Sequence, residues 1–131
     1  MDKKAVNAKF FAFRNGVVAR NFHEAGAPYP RIFGLQLPQI GEIARETGYD
    51  DLLGRELWSD RDCRESRLLA CYLLNPETLQ ADEALSLARD VQTREEADVL
   101  AWRLLRKLPF ARQLATRLDG YMKQALERNL Q

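Results

Sequence analysis

Residues 68–74 read Leu-Leu-Ala-Cys-Tyr-Leu-Leu, the longest strongly apolar run in the chain, and none of them is β-branched. A segment that is apolar on all sides must be buried on all sides. Without Val, Ile or Thr it is a poor strand and a good helix. The rest of the chain carries the same bias, with 20 Leu and 16 Ala against 5 Val, 3 Ile and 4 Thr. A sheet would lack the residues it favours, so an all-β fold is excluded and an all-α fold is expected. At 7 residues the run falls far short of the about 20 that span a bilayer, so no membrane role is expected.

Periodicity and punctuation divide the chain into about seven short helices. Lys3–Phe13 and Val17–Glu24 carry apolar residues at helical spacing on either side of Asn15-Gly16. Residues 25–37 hold Gly26, Pro28, Pro30 and Gly34 and read as a loop. Pro38 suits the first turn of a helix that Gly48 ends, and Asp50 or Asp51 can cap the next, Leu52–Trp58. Ser59, with Asp62 three residues on, predicts a helix from there through Leu74, closed by Asn75-Pro76. Further helices are expected over 81–91, over 93–108 behind the capping box Thr93-Arg94-Glu95-Glu96, and over 110–128. The cap signatures at Ser59 and Thr93 lie 34 residues apart, near the repeat length of stacked two-helix units. That spacing favours an array of helical hairpins over a closed bundle.

The net charge is only +1, but the local balance runs from +2 over residues 1–50 to −6 over 51–100 and +5 over 101–131. A basic end can attract an anionic partner that the whole molecule would not. The N-terminal stretch is interrupted by Asn7, Lys9 and Arg14 and makes no signal peptide, so a cytoplasmic protein is expected. Cys63 and Cys71 are eight positions apart within one predicted helix and read as small buried hydrophobes in a reducing compartment. His23 is the single histidine, which leaves no metal-ligand set and no nucleophile–base pair; no Gly-rich phosphate loop is present, and no cofactor is expected.

One series of short motifs is more specific. Ile32-Phe33-Gly34-Leu35-Gln36-Leu37-Pro38-Gln39-Ile40 leads into Glu42-Ile43-Ala44. A helix then ends in Glu56-Leu57-Trp58, Arg64-Glu65-Ser66-Arg67 precedes Leu68-Leu69-Ala70, and Val91-Gln92-Thr93-Arg94 forms a turn. In this order the series resembles the DNA alkylation repair family, the HEAT-like alkylpurine DNA glycosylases, over residues 17–108. The resemblance implies a right-handed α-α superhelix of HEAT/armadillo-like hairpins, with residues 1–131 as a single domain. It also implies a basic concave face that holds duplex DNA by its backbone and excises N3- or N7-alkylated purines. In that chemistry a carboxylate stabilises the developing oxocarbenium ion while tryptophans line the deoxyribose.

The family signature Trp-Asp-x-x-Asp falls on Ala97-Asp98-Val99-Leu100-Ala101. Asp98 matches the first Asp; Ala97 replaces the Trp and Ala101 the catalytic Asp. Family members also continue through further repeats, so this chain is expected to make fewer phosphate contacts and bind more weakly. The candidate catalytic residue is Asp98, in place of the missing carboxylate. The candidate DNA contacts are Arg103, Arg106, Lys107, Arg112 and Arg117, and the candidate groove aromatics are Trp58 and Trp102. Arg64 and Arg67 read as solvated partners of nearby Asp and Glu. Three functions remain open: weak, sequence-independent DNA binding without glycosylase activity, a protein-interaction scaffold holding a partner in a concave groove, and an alkylpurine glycosylase that uses Asp98.

Overall fold

A computed structural model describes all residues 1–131. It contains nine α-helices, one short 3-10 helix and no β-strand. The chain divides into two units, Met1–Leu74 and Asn75–Gln131. The first holds α1 (Lys3–Ala12), α2 (Gly16–Glu24), α3 (Leu37–Thr47), α4 (Asp51–Trp58) and α5 (Arg64–Leu73). The second holds α6 (Ala81–Arg89), α7 (Arg94–Arg103), the 3-10 helix Leu105–Lys107, α8 (Ala111–Ala115) and α9 (Gly120–Arg128).

In the first unit the helix carrying the apolar run is central: every residue of α5 is buried, and it packs against α3 and α4. Gly54 on α4 permits close approach, since a Cβ there would sit 2.9 Å from the Leu74 side chain. Local caps start several helices, the one at Asp50 as the sequence suggests. Asn15 accepts from the N–H groups of Val17 and Val18, and Asp50 from that of Leu53. Gln36 and Gln39 form a capping box on either side of Pro38.

The start of α5 departs from expectation. Ser59 does not open that helix; it ends α4, its hydroxyl donating to the Glu56 carbonyl, and α5 begins at Arg64. The cause is tertiary. Arg31 and Cys63 form a parallel bridge in which the Arg31 N–H donates to the Asp62 carbonyl and the Arg64 N–H to the Arg31 carbonyl. The loop before α3 thereby holds residue 63 extended and delays the helix.

In the second unit α7 packs chiefly on α9, and α8 lies against α6 and α9. Ala97, Leu100, Ala101, Leu104 and Leu105 are fully buried, with Met122, Ala125 and Leu126 from α9. The continuous helices expected over 93–108 and 110–128 are both broken. Leu104 leaves helical geometry and the chain tightens into the 3-10 turn before Pro109. Residues 116–119 separate α8 from α9, which begins at Gly120 with φ of 59°. Each break turns the chain so that a short amphipathic segment returns its apolar side to the unit's core.

Candidate nucleic-acid interface

The turn at Phe33-Gly34-Leu35 is held by one buried carboxylate. Glu65 accepts from the backbone N–H groups of Phe33, Gly34 and Leu35 at 2.9, 3.0 and 3.3 Å. Arg64 pairs with the same carboxylate at 2.7 Å and also donates to the Leu35 carbonyl at 2.8 Å. Its guanidinium lies 4.0 Å from the Phe22 ring centroid. Gly34 has φ of 90°, and a Cβ there would collide with the Asn15 carbonyl oxygen, so only glycine fits this crossing. The Phe-Gly turn and the Arg-Glu pair are therefore one device, two motifs distant in sequence that satisfy each other's polar groups.

Arg67, one turn further along α5, is fully buried. It donates to the Trp58 carbonyl at 2.7 Å and stacks its guanidinium 3.5 Å from the centre of the Trp58 ring. Arg64 pairs with Glu65 as the sequence suggests, but Arg64 and Arg67 are core residues and not solvated ones. Each finds an aromatic ring to cover its flat face. Trp58 itself is only 7% exposed.

The second unit presents a different surface. Arg94, Asp98 and Trp102 on α7 and Arg106 in the 3-10 helix recur at intervals of four and all are exposed. Trp102 is 44% exposed, the only exposed tryptophan of the two. The Arg103 guanidinium lies 5.2 Å from its ring centroid, and the Arg106 Nε donates to the Trp102 carbonyl at 2.6 Å. Lys107 stands close to both arginines: partial burial first, then the Arg103 and Arg106 charges, hold its ammonium below the ordinary lysine range. An exposed indole and three cations thus share the C-terminal end of one helix and the turn that follows.

The other candidate residues are not part of this group. Asp98 lies one turn N-terminal to Trp102 and forms an exposed ion pair with Arg128 at 2.9 Å. Arg112 donates to the Leu130 carbonyl at 3.0 Å and borders a cleft with Lys123 and Glu127. Arg117 borders another cleft of about 320 Å³, and its carbonyl accepts from Arg89. Ala97 and Ala101 are fully buried among the core residues of α7 and α9, away from solvent.

A family model described as DNA alkylation repair enzyme matches residues 6–125. The chain belongs to that family. No curated protein and no solved structure gives a significant match. Within this member of the family the Phe33-Gly34 turn and its Glu65 partner are structural, whereas Trp102 is exposed beside Arg103. No three His, Cys, Asp or Glu side chains converge where they could hold a metal ion, and no helix is long and apolar enough to cross a membrane. Burial pushes the Cys63 thiol up, which disfavours the reactive thiolate, and both cysteines are buried and unpaired with each other.

Proposed function

We propose that this protein is a cytoplasmic DNA-binding member of its family that contacts the phosphate backbone without sequence preference and does not cleave glycosidic bonds. The observation that carries the reading is the crowding of Arg103, Arg106 and Lys107 around Trp102. Cations gathered within one helix end and the turn after it can donate several charge-assisted hydrogen bonds to a phosphate. Arg112 and Arg117 extend the basic character of the same unit at separate clefts. The non-catalytic half of the reading rests on Ala101. By the resemblance it falls where the family carries its catalytic carboxylate, and it is fully buried.

Fluorescence anisotropy with a labelled duplex, run across a salt series, tests the binding. Neutralising Arg103, Arg106 and Lys107 together should reduce the slope of log affinity against log salt by about 2 to 3, since each phosphate contact contributes about 0.9. An unchanged slope would place the contacts elsewhere.

One observation favours a second reading. Asp98 and Trp102 stand one helical turn apart on the exposed face of α7, so a carboxylate and an indole could flank a sugar. Arg128 neutralises that carboxylate. Incubation with N7-methylated DNA should release no methylpurine; release that Asp98→Asn abolishes would establish the glycosylase.

A further inference from the structure

We propose that Trp102 is a stacking platform for an unpaired nucleobase, so that the basic end of α7 prefers single-stranded DNA to a closed duplex. The inference rests on the DNA-binding reading above and adds what part of the nucleic acid is held. A cluster of phosphate contacts requires only cations. Here Arg103 lies against an indole that is 44% exposed, with Arg106 and Lys107 close by, although the rest of the unit buries its large apolar side chains with few exceptions. An aromatic face beside backbone-binding cations is the combination by which proteins hold single strands, because every base offers a π-face. In a duplex those faces are covered by neighbouring pairs.

The arrangement also sets the indole for that task. Arg106 ties its side chain to the Trp102 carbonyl across one turn, so the cation stays next to the aromatic residue. Arg103 reaches the ring itself at 5.2 Å, within cation–π range, and limits how the indole can turn. A base stacked on Trp102 would have its own phosphates within reach of Arg103, Arg106 and Lys107. Trp58 offers no comparable surface, because it is buried and Arg67 covers its ring.

That contrast makes the proposal readable by fluorescence. The chain has two tryptophans, and only Trp102 is accessible to a base. The experiment titrates the protein at low salt with three probes of equal phosphate count: an oligothymidylate strand, an abasic strand of the same length, and a duplex. The oligothymidylate should quench tryptophan emission and bind about tenfold more tightly than the abasic strand, the scale of one base–aromatic stack. The abasic strand should bind with little quenching. Trp102→Ala should remove the tenfold preference and the quenching together; Trp102→Phe should restore part of the preference. Equal affinity for thymidylate and abasic strands would overturn the stacking proposal and leave phosphate binding intact. Binding to none of the three probes would overturn the DNA-binding reading as well.

Discussion

Lys107 has two arginines for neighbours, and its ammonium is disfavoured by partial burial and by their charge. Its pKa is lower in the folded chain than in the unfolded one, so the unfolded state binds more protons between the two values. The resulting penalty is fully present below the folded pKa and disappears as pH rises toward the ordinary lysine range. Replacing this lysine should therefore help folding and harm binding. We expect Lys107→Met to melt no lower than the parent at neutral pH, with any advantage shrinking in alkaline buffer, while its affinity for DNA falls. Thermal denaturation followed at several pH values reads the first part; a variant that melts lower and binds normally would show that Lys107 is structural. At the same scale, Arg67 shows how misleading residue type alone can be. A guanidinium is ordinarily solvated, yet this one is fully buried because a carbonyl takes its proton donor and an indole covers its face.

At the scale of elements, local chemistry decides where helices can start and tertiary pairing decides which starts are used. Thr93 caps α7 by accepting from the Glu96 N–H at 3.1 Å, and Glu96 in return accepts from the Gln92 N–H at 3.0 Å. Both halves are local, and this start was visible in the sequence. Thr93→Ala should cost about 1 kcal/mol, the usual value of an N-cap. For a chain of this size that is a fall in Tm of about 3 °C, with Thr93→Ser close to the parent. Loss of several times that amount would mean that the hydroxyl serves more than the cap. Ser59 has equally good capping chemistry and is not used, because the bridge to Arg31 holds residue 63 extended. The helix starts at Arg64 and Arg94 are consequently thirty residues apart and not the 34 read from the caps. The breaks at Leu104 and at residues 116–119 were hidden for a related reason. Apolar spacing continues across them, while the direction of each segment is set by what it packs against.

For the whole molecule, a net charge of +1 gives almost no long-range attraction for a polyanion. On the proposed reading, binding depends on the few cations gathered at the end of α7 and in the turn after it. With about three phosphates neutralised, affinity for a duplex should drop about 40-fold between 50 and 200 mM salt. A loss of several thousandfold would require many more contacts than this cluster can make. Such a measurement belongs to the intact chain, because it counts every contact at once.

The sequence alone determined that the chain is helical, that the segment ending in Leu68–Leu74 is its most buried element, and which family it resembles. It also supplied the cations and the indole as candidates. These properties follow from composition and from spacings of a few residues, over which backbone geometry is nearly fixed. Only the tertiary structure decided that Arg64 and Arg67 belong to the core, that Arg103 is half-buried while Arg106 and Lys107 are exposed, and that Trp58 is covered while Trp102 is open. It alone joined Gly34 to Glu65, thirty-one positions apart. A side chain's exposure depends on what other parts of the chain bring against it, and spacing along one helix carries no record of those partners.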